Sequence, residues 1–475
     1  MKGAVFMALS NTHFGYEKIS EMKGDSPKKI FFSGVGGISM NSLAKVCHAR
    51  GHAVSGYDRT PSGITRSLED MGICVHYDST PDIVEGCDVF VYTVAIPGDD
   101  PAYVRAGELK IPRISRSDFL GYIMKGYKSR VGVSGMHGKS TTTAIVSSVY
   151  TAAGLEPTVF GGAAMKDTGS SNILGGERAL IFEACEYMDS FLDFYPTSAI
   201  VLNIEMDHVD YFHSMDQIRD SFTAFISKAD RAVVNISDDD VMEAVRRSGV
   251  HAVTFGEEGT GADYTAKDIV FEHGFASFDI LCKGKFLCHA KMSVPGHHMV
   301  TDALAAAAVA HTDGIDGAAI AEGLSSYCGI CRRMELKGKT AAGADVFDDY
   351  AHHPTEIANT LEAARDLGYK RTVCVFQPHT FSRTAELLCG FAEALGGSGI
   401  DEIILAQIYP AREVNTYGIS SEKLGEEIIK HGMKCTVMNT FEEIAEYLKA
   451  TLSKDDAVFI VGAGDVNKIS GMIVE

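Results

Sequence analysis

The sequence predicts an α/β protein of three domains, each built around a mostly parallel sheet. Apolar strand-like runs alternate with helical patterns in three successive blocks, and such alternation is typical of parallel sheets covered by helices on both faces. The length of 475 residues also fits about three domains. We place the domains at residues 1–127, 128–334 and 335–475.

The first block has a glycine-rich loop between a strand and a helix. The predicted strand Lys29–Phe32 leads into Gly34-Val35-Gly36-Gly37, a helix covers residues 39–50, and Asp58 follows the next strand. This order predicts a Rossmann-like domain whose loop amides bind a diphosphate. A nicotinamide-binding fingerprint has its third glycine where this chain has Ser39, so a nicotinamide cofactor is disfavoured.

The second block carries a phosphate-binding loop, Gly135-Met136-His137-Gly138-Lys139-Ser140, between the strand Arg130–Ser134 and an apolar helix. Glycines let the backbone wrap phosphate oxygens, and amides at a helix N-terminus point at the anion. Lys139 can reach the β- and γ-phosphates, and the Ser140 hydroxyl can ligate Mg²⁺. The strict pattern has a glycine where this chain has Val133, so a structural turn is the alternative. We predict a P-loop ATPase domain.

A carboxylate and an imidazole follow two further strands of this block. Glu183 ends the apolar strand Ala179–Glu183, and His208 comes shortly after the strand Ser198–Asn203. Ligands of open α/β sheets bind at the carboxyl ends of strands, so both side chains are expected to face the same crevice as Lys139. They could hold a second Mg²⁺, although Mg²⁺ usually prefers oxygen ligands. The alternative is a capping or hydrogen-bonding role at the strand ends.

The third block repeats the strand–helix alternation and predicts a second Rossmann-like domain. Its predicted elements are the strands Ala344–Asp348, Thr372–Phe376, Glu402–Ala406 and Ala457–Val461 and the helices Pro354–Leu367 and Arg383–Leu395. Ahead of the first block, residues 11–28 are polar and are expected to form a loose lead-in.

Composition disfavours a nucleic-acid-binding protein and a membrane protein. The net charge of −20 disfavours nonspecific binding to nucleic acid or to an anionic membrane. No apolar run reaches the roughly 18 residues of a transmembrane helix, and Met1–Ser10 lacks the features of a signal peptide, so we expect a cytoplasmic protein. Cys328 and Cys331 form a lone CxxC, for which zinc binding is the alternative to free thiols.

An ordered set of motifs from about residue 29 to residue 470 resembles the bacterial Mur ligases. The matching segments are Gly34 to Met40, Gly135 to Thr143, Glu183 to Glu186 with Asp189 to Leu192, Asn203 to His208, Val294 to His298, Arg332-Arg333, Asp348 to Glu356, Phe376 to Thr384, and Gly462 to Asp465.

The resemblance implies one domain for a UDP-sugar, a central ATPase domain, and a C-terminal domain that brings the amino acid. It implies an ATP- and Mg²⁺-dependent ligase of the alanine-adding branch, which joins L-alanine to the lactyl carboxylate of UDP-N-acetylmuramic acid through an acyl phosphate. Such an enzyme serves peptidoglycan precursor synthesis, and we expect a monomer or a homodimer.

The resemblance also implies roles for individual residues, carried over by motif position. The catalytic set is Lys139, His208, His352 and Arg383. The magnesium ligands are Ser140, Glu183 and His208. The ATP-binding set is Gly135, Met136, His137, Gly138, Lys139, Ser140, Thr141, His298, Arg333 and Asp349. The UDP-sugar set is Gly34, Gly36, Gly37, Ser39, Met40 and Asp58.

The chain departs from the common family pattern at Met299 and Asp302, where many members have Asn, and at Thr380, where some have Arg. The first two departures bear on the adenine contacts and the third on the amino-acid carboxylate. The segment 189–192, and the absence of a lysine near position 223, fit the alanine-adding branch. The alternatives are a sister ligase that attaches a recycled tripeptide to the same UDP-sugar, a folylpolyglutamate-type ligase, and a non-catalytic nucleotide-binding regulator.

Overall fold

A computed structural model of the chain describes residues 9–23, 28–208 and 211–475. Their strands form three separate sheets of five, ten and six strands, which confirms the predicted three-domain α/β fold. None of the helices in these three ranges is both long and apolar enough to span a membrane. Residues 1–8 of the segment Met1–Ser10, for which we expect no signal peptide, lie outside the described residues.

The first sheet is parallel and has the strand order β3-β2-β1-β4-β5. Because β1 lies between β2 and β4, the glycine loop that follows β1 sits where the chain changes direction across the sheet, the usual ligand position in such folds. The elements are α1 (Gly15–Lys23), β1 (Lys29–Ser33), α2 (Ile38–Ala49), β2 (Ala53–Tyr57), α3 (Gly63–Asp70), β3 (Cys74–His76), a 3₁₀ helix (Pro81–Val84), β4 (Val89–Tyr92), α4 (Pro101–Glu108), β5 (Arg113–Ser115) and α5 (Arg116–Met124).

Helix α1 corrects the expectation of a loose lead-in over residues 11–28 at its residues Gly15–Lys23, whereas residues 24–27 lie outside the described residues. The carboxylate of Asp118 in α5 accepts hydrogen bonds from the backbone N–H groups of Phe14 (2.8 Å) and Gly15 (3.1 Å). The N–H of Tyr16 donates to the hydroxyl of Tyr195 in the second domain (3.3 Å). The helix is therefore held by contacts with distant residues, which the polar composition of the segment does not reveal.

The second sheet has the order β15-β14-β13-β12-β11-β10-β6-β9-β7-β8. Strand β6 lies between β10 and β9, so the segments that leave these three strands meet at one edge. The elements are β6 (Ser129–Ser134), α6 (Lys139–Ala152), β7 (Thr158–Phe160), β8 (Asn172–Ile173), β9 (Ala179–Glu183), a 3₁₀ segment (Tyr187–Asp193), β10 (Ser198–Val201), α7 (Met215–Ile226), β11 (Arg231–Asn235), α8 (Asp239–Ser248), β12 (Ala252–Gly256), β13 (Tyr264–Glu272), β14 (Phe275–Cys282), β15 (Lys285–Lys291), α9 (His298–Thr312) and α10 (Gly317–Ser326).

The third sheet has the order β16-β17-β21-β18-β19-β20, with only β16 antiparallel to its neighbour. The predicted helix over residues 383–395 is divided at Leu387 into two helices. The elements are β16 (Glu335–Lys339), β17 (Asp345–Asp349), α11 (Pro354–Asp366), β18 (Arg371–Phe376), α12 (Phe381–Glu386), α13 (Leu388–Gly396), β19 (Glu402–Leu405), α14 (Ser421–Lys430), β20 (Cys435–Val437), α15 (Phe441–Thr451), β21 (Asp456–Val461) and α16 (Lys468–Ile473).

A buried carboxyl group lies between helices α6 and α9, directly beneath the phosphate-binding loop. The Thr142 hydroxyl donates a hydrogen bond to Oδ1 of Asp302 at 3.0 Å. The other oxygen, Oδ2, is buried and has no hydrogen-bond partner among the described residues. Burial disfavours the charged carboxylate and raises the pKa of Asp302 to about 7.

We predict that Asp302→Asn stabilises the protein increasingly as the pH rises. The folded chain retains a proton that an unfolded Asp302, with its ordinary pKa of 3.8, releases, so the wild-type fold loses stability between about pH 4 and pH 7. Asparagine removes this loss and can still accept from Thr142. The unfolding temperature of the variant should match wild type near pH 4 and exceed it at pH 8.

The exposed carboxylate of Asp316, the N-cap of α10, provides the control. Asp316→Asn keeps the capping oxygen at an exposed position and should not show the large gain in unfolding temperature at pH 8. An equal shift at pH 4 and pH 8 for Asp302→Asn would contradict the role of the buried ionisation.

Candidate active site

The phosphate-binding loop joins β6 to α6 in a conformation that requires glycine. Gly135 and Gly138 have φ values of +140° and +80°, which residues other than glycine rarely adopt. Asn203 supports the loop, because its side-chain oxygen accepts from the N–H of His137 at 2.9 Å and its backbone carbonyl accepts from Met136 at 3.3 Å. The loop is thus shaped before any ligand binds.

The ammonium group of Lys139 lies inside this loop. It donates to the carbonyl oxygens of Gly135 at 2.6 Å and Met136 at 3.1 Å, and it forms an ion pair with Glu186 at 3.0 Å. Burial disfavours the charge, but the carboxylate of Glu186 and nearby acidic groups outweigh burial and raise the pKa of Lys139. Lys139 therefore remains a cation at the loop, as phosphate binding requires.

Glu186 connects Lys139 to His208, and the sequence-based set of site residues did not include it. Its carboxylate is fully buried and lies 3.0 Å from Nε2 of His208 as well as 3.0 Å from the lysine. Burial alone would raise the pKa of Glu186, but Lys139 and His208 lower it, so the carboxylate is charged. The motif 183–186 contained the signal, a second acid three residues after the first.

Ser140 and Glu183 form a compact pair of oxygen donors. The Ser140 hydroxyl donates to Oε2 of Glu183 at 2.6 Å, and the N–H of Gly162 donates to the same oxygen at 3.0 Å. A Cβ at Gly162 would lie 2.5 Å from this oxygen, so only glycine permits the approach. A hydroxyl beside a carboxylate suits Mg²⁺, which prefers oxygen ligands.

A cavity of about 420 Å³, here called the lysine cavity, collects most of the predicted catalytic and metal-binding residues. His208 reaches it with a backbone φ of +49°, a conformation that a β-carbon disfavours. The residues from the predicted site that line the lysine cavity are Met136, His137, Gly138, Lys139, Ser140, Glu183, His208, Arg333 and His352. The predicted magnesium ligands therefore share one cavity with the P-loop lysine.

A second cavity of about 190 Å³, here called the His298 cavity, adjoins the loop as well. His137, Gly138, Ser140, Arg333 and Glu356 line both cavities, so a single elongated ligand could occupy the two. Burial lowers the pKa of His298 to about 4, so its ring is neutral. The predicted residues that line only the His298 cavity are Thr141, His298 and Asp349.

Asp349 also has a structural role in this region. Its two carboxylate oxygens accept hydrogen bonds from the backbone N–H groups of Met334 and Ala351, each at 2.8 Å. The carboxylate therefore holds together the two chain segments where the second domain passes into the third. Met299 and Asp302, two of the departures from the family pattern, line the His298 cavity, and both side chains are largely buried.

The third domain approaches the lysine cavity through polar contacts. Arg383 donates to Oδ1 of Asp207 at 3.0 Å, next to His208 in the chain. The Thr355 hydroxyl donates to Glu205 at 2.9 Å. Although burial opposes ionisation of Asp207, Arg383 lowers its pKa. Arg383 is thus engaged with the central domain, whereas His352 lines the cavity itself.

The glycine loop of the first domain is held by a hydrogen bond to Asp58, the acid that the sequence analysis assigned to this site. The N–H of Gly36 donates to Oδ2 of Asp58 at 2.8 Å, and a Cβ at Gly36 would lie 2.7 Å from that oxygen. Gly37 precedes helix α2, and Ser39 is half-buried at its start. The side chain of Met40 is buried in the core.

The cysteines of the CxxC pair lie in different environments. Cys328 is exposed and Cys331 is half-buried, and both are free thiols. Among residues 9–23, 28–208 and 211–475, the potential metal-binding cluster consists of His137, Glu205 and His353 and includes neither cysteine.

Comparison with known proteins places all three domains in one family. Residues 29–128 match the Mur ligase family catalytic domain, residues 133–310 the Mur ligase middle domain, and residues 332–464 the glutamate ligase domain of Mur ligases.

Curated relatives match over almost the whole chain. The chain is 41% identical over 451 residues to a UDP-N-acetylmuramate–L-alanine ligase of Caldicellulosiruptor saccharolyticus, covering 94% of this chain and 98% of the relative. It is 40% identical over 459 residues to the ligase of the same name from Clostridium acetobutylicum, covering 96% and 99%.

Solved structures agree with the sequence relatives. The UDP-N-acetylmuramate–alanine ligase of Thermotoga maritima superposes with a TM-score of 0.75 at 27% identity, covering 94% of this chain and 97% of that one. A murein peptide ligase of Psychrobacter arcticus shares the fold, with a TM-score of 0.64 at 21% identity and coverages of 94% and 97%. With three matching domains and near-complete coverage of its relatives, the chain belongs to the Mur ligase family.

Proposed function

We propose that this protein is an ATP- and Mg²⁺-dependent ligase that joins L-alanine to the lactyl carboxylate of UDP-N-acetylmuramic acid. The reaction is a step of peptidoglycan precursor synthesis, carried out in the cytoplasm. The observation that carries the proposal is the lysine cavity, where Lys139, Ser140, Glu183 and His208 converge. Identity of about 40% to curated ligases of this name supports the choice of substrates.

The loop and the two cavities suit a bound nucleoside triphosphate. The backbone amides at the start of α6 and the Lys139 cation would hold the phosphates, and the His298 cavity would take the nucleoside. Ser140, Glu183 and His208 would hold Mg²⁺, which when bound offsets negative charge on the phosphate oxygens. In this arrangement Glu186 positions both Lys139 and His208.

The chemistry has two steps. The lactyl carboxylate attacks the terminal phosphate of ATP, which yields an acyl phosphate and ADP. The amine of L-alanine then attacks the acyl carbon, phosphate leaves, and the nitrogen loses a proton. His352 lines the cavity with its Nδ1 3.2 Å from Glu356, and we assign it as the base that accepts this proton.

Closure of the third domain protects the intermediate. Water would hydrolyse an acyl phosphate, so the cavity must exclude bulk solvent during the reaction. The Arg383–Asp207 and Thr355–Glu205 contacts hold the third domain against the central domain at the edge of the cavity. We propose that these contacts form in the closed state and that Gly34, Gly36, Gly37, Ser39 and Asp58 form the loop that binds the UDP-sugar.

We predict that Lys139→Ala lowers the rate of ADP formation by at least about a hundredfold, the usual effect of removing one donor that stabilises transition-state charge. Binding of UDP-N-acetylmuramic acid, measured by calorimetry, should remain near the wild-type level because the first domain is untouched. Lys267→Ala, at an exposed position on β13, is the matched control and should have wild-type activity. Normal turnover by Lys139→Ala would refute the assigned role.

We predict that Glu186→Gln lowers the rate of ADP formation by about tenfold or more and raises the Mg²⁺ concentration needed for half-maximal rate. Glutamine keeps the shape but removes the charge that orients Lys139 and His208. The Mg²⁺ dependence distinguishes positioning from a general loss of folding. Glu177→Gln, an exposed site, is the control; an unchanged Mg²⁺ dependence in Glu186→Gln would count against the positioning role.

We predict that, with ATP and UDP-N-acetylmuramic acid present, phosphate is released from ATP at least about a hundredfold faster with L-alanine than with the tripeptide L-alanyl-γ-D-glutamyl-meso-diaminopimelate. A difference of about 2.7 kcal/mol in transition-state binding gives this ratio. Faster release with the tripeptide would instead identify the sister ligase. No phosphate release with either co-substrate would favour a non-catalytic nucleotide-binding regulator over a ligase.

A further inference from the structure

A second cluster of metal-binding side chains lies where the phosphate-binding loop meets the third domain. His137 belongs to the loop, Glu205 follows β10, and His353 caps the N-terminus of α11. One ligand atom from each of the three residues lies within 4.8 Å of the others. Nε2 of His137 is 3.5 Å, and Nδ1 of His353 is 4.0 Å, from the same oxygen of Glu205.

Both histidines are buried, and each has a nitrogen without a hydrogen bond. His137 is 8% exposed and His353 is 5% exposed. Nε2 of each ring is buried and has no hydrogen-bond partner among the described residues. Nε2 of His137 faces Glu205 without a well-formed hydrogen bond, and Nε2 of His353 has none. Poorly satisfied polar groups in a protein interior are costly, so their presence beside a carboxylate indicates a ligand that completes the cluster.

The surroundings of the cluster match those of a metal centre. Oε1 of Glu356 lies 3.6 Å from Nδ1 of His137, where it can hold the proton on that nitrogen and leave Nε2 as the ligand. The Thr355 hydroxyl donates to Oε2 of Glu205 at 2.9 Å and orients the carboxylate. Such outer contacts fix the direction of metal ligands.

We propose that His137, Glu205 and His353 bind a divalent transition-metal ion such as Zn²⁺, at a site separate from the magnesium ligands Ser140, Glu183 and His208. Two histidines, one carboxylate and a water molecule are a common tetrahedral zinc set. Mg²⁺ does not compete well there, because it prefers six oxygen ligands. Binding displaces a proton from His137. It also replaces the 3.4 Å hydrogen bond that Nδ1 of His353 accepts from the N–H of Thr355, because the ion takes the one lone pair of the neutral ring.

The site joins two domains, because His137 and Glu205 belong to the second and His353 to the third. A bound ion therefore links the phosphate-binding loop to the N-terminus of α11 and holds the third domain in its closed position. The bound ion inhibits turnover if the third domain must open between catalytic cycles. This inhibition rests on the proposed ligase function. Binding of the ion does not depend on it.

Cobalt provides a direct probe, because four-coordinate Co²⁺ absorbs visible light strongly and replaces Zn²⁺ in such sites. Co²⁺ is titrated into the full chain without nucleotide and with excess Mg²⁺ to fill oxygen-rich sites. We expect one strongly absorbing Co²⁺ per chain. His353→Gln and Glu205→Gln should each weaken binding by at least about a hundredfold, since loss of even an outer contact costs about 10- to 100-fold.

His289→Gln is the matched control, because His289 forms an exposed pair with Asp279 far along the sheet at β15. It should bind Co²⁺ as wild type does. Absence of the absorption from wild type, or its full retention in both cluster variants, overturns the proposal. The unfolding temperature shows whether His353→Gln folds. If it does not, Co²⁺ binding by Glu205→Gln alone tests the proposal, because Glu205 is half-exposed and its replacement leaves the core intact.

Inhibition is tested separately with Zn²⁺. In wild type, Zn²⁺ should slow ADP formation reversibly, with recovery on adding a chelator, and Glu205→Gln should need at least about tenfold more Zn²⁺ for the same effect. Equal sensitivity of both proteins refutes the inhibitory link. A chain that binds Co²⁺ as expected but forms no ADP under any condition would refute the proposed function and leave the metal site standing.

Discussion

The buried carboxylate of Glu186 is the interaction on which the candidate active site depends. A fully buried charge is tolerated only when it is paired, and Glu186 is paired on one side with Lys139 and on the other with His208. This bridge holds the lysine inside the loop and holds His208 at a backbone φ of +49°. A nucleotide phosphate that takes the place of the Glu186 carboxylate beside Lys139 would meet an ammonium group already in position. Binding would then need little rearrangement of the lysine side chain.

The parallel sheet of the second domain explains why these residues meet. Strands β6, β9 and β10 are neighbours, and their carboxyl ends supply Lys139, Glu183 and the segment that leads to His208. The third domain completes the site from outside through Arg383 and Thr355. The lysine cavity is therefore shared between a sheet edge of the second domain and the third domain, which lies against it. Such an arrangement suits an intermediate sensitive to water.

Much of the fold could be predicted from local patterns. The strand Ala179–Glu183 was predicted with the bounds that the structure has, and the predicted strand Ala457–Val461 differs from β21 by one residue at its start. Helix α1 was missed because its support comes from Asp118, about a hundred residues away. The strands β13 to β15 were not recognised, since exposed residues on β13 weaken the alternation that identifies a half-buried strand.

For the site, the sequence by itself determined the chemistry: a glycine loop with Lys139 and Ser140, acids and imidazoles at strand ends, and motifs whose order resembles one family. Such features are local, because each depends on residue type and short spacing. Only the tertiary structure decided the pairings. Glu186 between Lys139 and His208, Asp58 bracing Gly36, and His353 beside His137 depend on how distant strands and domains are placed, and at Glu186 the charged partners then outweigh burial.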